Sequence, residues 1–340
     1  MAQDRGLRVA VTGPTGTFGF GLVPLLEAAP AVSEIVGVAR PPFDPADHGW
    51  HKMTYRRGDV RDQDVLAGAF ADADVVVHLA FMVIGDANED TIREINVEGT
   101  LNAFRAAAAA GADRFVYASS VAAYGFHADN PFGMTEEWPT RPADHFFYAQ
   151  EKAELEELLT AEAAMHSEID LYLLRPPIVL GPHAVGGKGA LLSVLATLMG
   201  AVGAVARRVR VPLPVVVPDI PVQFIHEDDV GHAFVQCILG SGPAGSYNIA
   251  GDGVVTGGDI ARELGFMPLR APAAPVARLA RGVAGLSTPG FVPPITGWAE
   301  ALSHPSIMDT SKAKDLLGWQ PRYSSLEALR TMLRQDEEGR

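Results

Sequence analysis

The amino-acid sequence predicts an α/β protein: a doubly wound parallel sheet joined to a smaller, mixed C-terminal domain. Three observations predict it. Short β-branched runs alternate with helix-like stretches over the first 180 residues, the order that parallel crossovers require. Those runs are apolar without a break, as in strands covered on both faces. After Pro176 the alternation degrades, and Pro and Gly become frequent.

In order, LRVAV (7–11) reads as the first strand, and Gly19 to Ala29 as the helix that returns from it. EIVGVA (34–39) and DVVVHLA (74–80) are the next strand candidates. Asp90 to Ala110 carries a long helical pattern whose Ala run, 106–110, is simply good helix former. RFVYAS (114–119), a helix over Phe147 to His166, and DLYLLRP (170–176) follow. PLPVVVPDIP (212–221) and the stretch 271–294 are irregular, whereas VQFIH (222–226) and SYNIA (246–250) return to strand character. The expected division is residues 1–180, with returns near 215–250, in the sheet domain. Residues 181–214 and 251–340 then form the second domain, over the open side of the sheet.

A hydrophobic content of 48% and a net charge of −14, with a pI near 5.1, describe an acidic globular chain. Such a surface repels phosphate backbones and anionic headgroups, so a small-molecule partner is expected, with no nucleic acid and no membrane. Cys237, the single cysteine, can form neither an internal disulfide nor a thiolate metal cluster; no metal site is expected, and a reducing cytoplasm fits. The opening MAQDRGLRVAV has no apolar signal region, so a cytoplasmic location is expected. The run Ala190 to Ala206 is rich in Gly and Ala and falls short of the about 20 strongly apolar residues that a span needs. It is expected to be a buried helix or the lining of an apolar pocket.

VAVTGPTGTFGFGL places Gly13, Gly16 and Gly19 directly after the first strand and at the opening of a helix. Glycines at that spacing permit a sharp turn, a close approach of backbone to a pyrophosphate, and tight helix-to-strand packing, while the helix N-terminus favours negative charge. The context makes this a dinucleotide-binding motif. Arg40 ends the second strand, 21 residues beyond Gly19, where such a fold meets the adenosine ribose. A guanidinium there complements a 2′-phosphate, whereas an acid would accept from a free 2′-hydroxyl. NADP is therefore favoured, with NAD as the alternative.

In FFYAQEKAELE (146–156) Tyr148 and Lys152 lie four apart, on one helical face, and Leu155 and Leu159 continue that stripe toward the interior. The glutamates Glu151, Glu154 and Glu157 are expected to point mostly elsewhere. Taken alone, the pair reads as a surface Lys152 to Glu156 ion pair with Tyr148 as packing. FVYASSVAAYG (115–125) supplies a second observation, since it sets Ser119 and Ser120 at a strand end, where a parallel sheet opens on its ligand crevice.

TGxxGxxG, a serine at a strand end and then YxxxK together resemble the short-chain dehydrogenase/reductase family. The length and tail are similar to its extended, epimerase/dehydratase-like branch, a Rossmann fold. GDVRD (58–62), VVVHLA (75–80), NVEGT (96–100), LRPPIVLGP (174–182), VQFIHEDDVGHAF (222–234) and DTSKAKDLLGWQPRY (309–323) extend the likeness over nearly the whole chain. The resemblance implies that Tyr148 is the general acid/base. An unperturbed phenol has a pKa near about 10, and a neighbouring Lys152 ammonium would favour the phenolate. It implies further that Lys152 binds the nicotinamide ribose hydroxyls and that Ser120 holds the reacting oxygen. Gly13, Thr15, Gly16, Phe18 and Gly19 of the loop, Arg40, Asp59 and Val60 near adenine, Leu79 and Ala80 beneath the cofactor, Asn96, Pro177, and Tyr148 and Lys152 themselves make up the implied cofactor set. His226, Asp228 and Asp229 resemble a signature without metal-ligand spacing and are expected to be structural. A homodimer through the helix before YxxxK and the helix containing it is expected on the same ground.

The sequence departs from sugar-nucleotide members where an asparagine commonly meets substrate phosphate: Ile178 stands at the matching position. An apolar lining disfavours a charged diphosphate, which would lose its hydration uncompensated. The expectation is an NAD(P)-dependent oxidoreductase acting on a ketone or alcohol of a largely apolar small molecule. Lys188, Arg207, Arg208 and Arg210 keep a nucleotide-sugar epimerase or dehydratase as one alternative, and a catalytically inert NAD(P)-binding regulator is another.

Overall fold

The computed structural model describes residues 6–83, 88–143, 146–184, 214–218, 220–271 and 304–338. The apolar stretch 190–206, its flanking basic residues and nearly all of 271–294 lie outside the described residues. Among those described, no helix is long and apolar enough to cross a membrane.

Along the chain the main elements are β1 (Leu7–Thr12), α1 (Thr17–Ala28), β2 (Val32–Ala39), β3 (Met53–Arg57), α2 (Gln63–Phe70), β4 (Val75–His78), α3 (Glu89–Arg93), α4 (Gly99–Ala110), β5 (Arg114–Ala118), α5 (Phe147–Met165) and β6 (Asp170–Arg175). After them come β7 (Ile178–Leu180), β8 (Pro214–Pro218), β9 (Pro221–Val222), β10 (Phe224–His226), α6 (Glu227–Ile238) and β11 (Gly245–Asn248). Seven strands build one sheet in the order β11-β6-β5-β4-β1-β2-β3, with every neighbouring pair parallel. The order turns at β1 and β4. Strand C-terminal ends beside such a turn open the crevice where this architecture takes its ligands.

Two hydrophobic layers sandwich the sheet. Val9, Val11, Val75, Val77, Leu22 and Phe234 lie on one side, and Ala10, Val76, Phe104, Phe115, Leu155 and Leu159 on the other. Alternate residues of one strand feed opposite layers, which is why the central strands read as continuous apolar runs. α1 and α6 meet at glycines: a Cβ on Gly21 would come within 2.3 Å of the Glu227 carbonyl oxygen, and one on Gly231 within 2.1 Å of the Gly21 carbonyl oxygen.

Several elements escaped the sequence reading, among them β3, α2, α6 and β8, the last in the stretch 212–221 expected to be irregular. β3, an edge strand of sequence MTYRR, buries only Met53 fully, so no apolar run marks it. α2 spans eight residues and is announced only by its cap, since the Asp62 side chain accepts from Asp64 N and Val65 N. The helix expected from 90 to 110 is interrupted by a π-helical turn over Glu94–Glu98. Asn96 lies in that turn.

Candidate active site

The loop after β1 is held tight. Gly13 has φ +70°, and a Cβ there would stand 2.8 Å from Ala80 N. Gly19 faces the Pro14 carbonyl so closely that a Cβ would lie 2.0 Å from its oxygen. Gly16 is the N-cap of α1, and no side chain caps that end. The orphan N–H groups of the first turn thus have no side-chain oxygen to meet them, as a bound pyrophosphate would. The loop therefore fits a dinucleotide. Thr15 is half-buried in it. Phe18 packs its ring against Phe234 at 6.3 Å, so its side chain belongs to the core.

Leu79 and Ala80 continue β4 directly under this loop: Leu79 N donates to the Thr12 carbonyl at 3.0 Å, and Ala80 N to the Thr12 hydroxyl at 3.3 Å. Behind them His78 is fully buried, with Nδ1 at 2.8 Å from Thr12 Oγ1 and Nε2 at 3.0 Å from Thr100 Oγ1. Burial, and then the Lys152 charge, push its pKa down to about 3. Asn96 clamps the neighbouring backbone, accepting from Met82 N at 2.7 Å and donating to Met82 O at 3.0 Å and Glu151 Oε2 at 2.7 Å. Its amide is engaged by protein on both sides, so it shapes the crevice wall.

Past the ends of β2 and β3, Arg40, Arg57 and Gly58 line an open depression of about 350 Å³. Arg57 Nε donates to the Arg40 carbonyl at 2.8 Å. Asp59 is turned to Arg61, accepting from its backbone N, Nε and Nη2; the Arg61 hydrogen bond, first among the causes, lowers its pKa. Val60 is buried against Gly99. Pro177 is buried between β6 and β7.

The serines follow β5 and α5 carries the tyrosine and lysine, at the C-terminal end of β5. Ser120 is extended at φ −161° and caps the short turn Val121–Tyr124 by accepting from Ala122 N at 3.1 Å. The Ser120 hydroxyl also faces the Tyr148 phenol and acts to lower its pKa. Lys152 is buried; its Nζ donates to Tyr117 Oη at 3.0 Å and to Ala118 O at 2.7 Å. Phe81 lies with its ring centre 3.6 Å from that nitrogen and stands edge-on to Tyr148. The surface pair of Lys152 with Glu156 does not form. Instead Glu156 is buried, accepts from Ser119 Oγ at 2.5 Å, and pairs with Arg175. Arg175 Nη1 in turn donates to Tyr124 Oη at 2.6 Å, and Tyr124 donates to Asn248 Oδ1 at 2.8 Å.

Two expectations need correction here. Glu151 does not point away: it is 1% exposed, because the Asn96 amide gives it a buried partner. Nor does Lys152 lower the Tyr148 pKa in this arrangement. Burial raises the phenol, opposed by the Ser120 hydroxyl, and burial draws Lys152 down to about 7. The lysine nitrogen is 5.9 Å from the tyrosine ring centre, and in a dry crevice desolvation outweighs attraction across that gap. Asp229 accepts from Arg322 N and Tyr323 N at 2.9 and 3.0 Å, and His226 caps α6.

The sequence reading missed Tyr117, Phe81, Arg57 and the Glu156–Arg175–Tyr124 chain. Arg57 could have been found from its place next to GD in GDVRD. Tyr117 reads as one more apolar residue in a buried strand.

The profile of the NAD dependent epimerase/dehydratase family matches residues 9–250. L-arabinose 1-dehydrogenase (NAD(P)(+)) of Haloferax volcanii is 39% identical over 113 residues, 33% of this chain and 41% of that protein. An Escherichia coli O157:H7 protein, N-acetyl-alpha-D-glucosaminyl-diphospho-ditrans,octacis-undecaprenol 4-epimerase, is 32% identical over 183 residues, 53% of this chain and 52% of that protein. The chain thus aligns with only about half or less of these two relatives. A Streptomyces venezuelae dTDP-glucose 4,6-dehydratase solved with NAD and TYD superposes with a TM-score of 0.70 at 23% identity, covering 98% of each chain; that likeness speaks for the fold.

Proposed function

Because the chain belongs to the NAD dependent epimerase/dehydratase family, we propose that it is an NAD(P)-dependent oxidoreductase that moves hydride to or from a ketone or alcohol carbon of a largely apolar small molecule. The observation that carries this reading is that Ser120 faces the Tyr148 phenol while the Lys152 nitrogen lies 5.9 Å from the Tyr148 ring centre. A bound nicotinamide would supply the hydride donor or acceptor. The chain's residues do the rest. The backbone of Gly13 to Gly19 and the open end of α1 hold the pyrophosphate. Two of the three ammonium N–H groups of Lys152 are taken by Tyr117 and Ala118, which leaves the third for a ribose hydroxyl. Ser120 donates to the substrate oxygen, and Tyr148 Oη gives or takes its proton.

Arg40 and Arg57 together support NADP over NAD, since two guanidiniums at one depression suit a phosphate dianion. The Arg57 side chain is already oriented by its Nε bond to Arg40 O. On the substrate side, Ile178 is half-buried and packs against a cluster around Leu180, Phe224 and Leu329. It has nothing to offer a phosphate. The substrate-covering domain is assigned to 181–214 and 251–340.

The 4-epimerase among the relatives favours a second reading, a nucleotide-sugar epimerase or dehydratase. Titration calorimetry with UDP and TDP separates the two: no heat of binding at millimolar ligand agrees with the apolar substrate, whereas micromolar affinity overturns it. Extraction of the nucleotide that co-purifies with the protein, followed by a screen of carbonyl compounds for absorbance change, identifies cofactor and substrate class directly.

A further inference from the structure

Lys152 has closer company than its proposed role requires. Besides the Ala118 carbonyl, the hydroxyl of Tyr117, a residue 1% exposed, receives an Nζ hydrogen bond at 3.0 Å. The rings of Phe81 and Tyr117 have their centres 3.6 and 4.7 Å from the same nitrogen. We propose that Tyr117 is the positioning residue for Lys152: its hydroxyl pins the nitrogen at the end of β5 and stabilises the ammonium in a site that water does not reach. The proposal rests on the reading of Lys152 as the cation facing cofactor and Tyr148.

The surrounding charges leave this task to Tyr117. On the same helix, Glu151 is held by Asn96 and Glu156 by Ser119 and Arg175; each attracts Lys152 from a distance. His78 on β4 is neutral and bonded to Thr12 and Thr100, and Tyr148 faces Ser120. Direct stabilisation of the charge therefore comes from two oxygens and three rings, Phe81 and Tyr117 nearest and Tyr148 at 5.9 Å, and only one of the oxygens belongs to a side chain. A phenol suits this position because it accepts from an ammonium and donates to a neutral amine. The nitrogen is held in place whichever form is present.

Tyr117→Phe keeps the ring and deletes that oxygen. The titration of Lys152 itself is read from its side-chain ¹³Cε chemical shift in the full chain, assigned by its loss in Lys152→Arg, from about pH 6 to about pH 10. Loss of one hydrogen bond to a charged group predicts a midpoint lower by about one pH unit. An unchanged midpoint overturns the proposal. Tyr117→Met, read in the same way, is the second variant should the phenylalanine protein not fold. NADPH affinity is measured beside it by fluorescence and is expected to weaken several-fold. A lowered midpoint with unchanged NADPH affinity would uphold the hold of Tyr117 on Lys152 and count against the cofactor-facing role of Lys152.

Discussion

Removing the carboxylate of Glu156 should destabilise the protein strongly, although the residue lies outside the proposed chemistry. In the structure Glu156 and Arg175 are side chains 5% and 6% exposed. The Arg175 guanidinium gives Nε and Nη2 to the carboxylate and Nη1 to Tyr124. Glu156→Ala would leave a buried guanidinium without its counter-charge, which costs about 3–5 kcal/mol. With ~2.1 cal/mol/K of unfolding entropy per residue over 340 residues, ~0.7 kcal/mol corresponds to one degree, so Tm should fall by ~6 °C. The informative partner is Glu156→Ala combined with Arg175→Met, which replaces the charge with an apolar side chain and should recover much of the loss. Both are read by thermal and urea denaturation followed by circular dichroism. A Glu156→Ala protein within about 1 kcal/mol of the wild type, or a double variant as unstable as the single one, would refute the view that an uncompensated charge is the cause.

Other outcomes follow from single observations. Gly19→Ala forces a Cβ onto the Pro14 carbonyl, so the loop must shift, and NADPH affinity measured by fluorescence should fall at least about tenfold. Arg57→Ala should weaken NADP more than NAD, by about tenfold in the ratio of the two dissociation constants; equal weakening of both would remove Arg57 from 2′-phosphate recognition. His78 titrates in the unfolded chain near about 6.5 but is held neutral in the fold down to about 3. Its depressed pKa contributes stability that is complete above about 6.5 and is lost as pH falls toward the folded value, by up to ~1.4 kcal/mol per pH unit. Urea denaturation across that window should show a shallower acid slope for His78→Gln than for the wild type.

The sheet was legible because its central strands are buried on both faces, so that β1, β4, β5 and β6 appear as unbroken apolar runs. β3 was not, since only Met53 of its five residues is buried, and an edge strand needs no apolar run. In the site, the glycine loop, Ser120, Tyr148 and Lys152 were legible because chemistry fixes their residue types and spacing. What joins them was not. Glu151 and Glu156 look like the solvent side of a charged helix, and only the distant Asn96 and Arg175 make their burial possible. Tyr117 is hidden for the opposite reason: in a strand whose residues are nearly all buried, a tyrosine kept for its ring and one kept for its hydroxyl are the same letter. The Tyr148 pKa was misjudged because spacing along a helix gives proximity but not the cost of drying both groups.

Single-turnover hydride transfer by Tyr148→Phe addresses the central claim most directly, with NADPH and the carbonyl compound the screen identifies. The account predicts a loss of about 10²–10⁴-fold in the transfer rate, the contribution of a positioned acid/base group, with NADPH affinity close to that of the wild type. A rate equal to that of the wild type would contradict it.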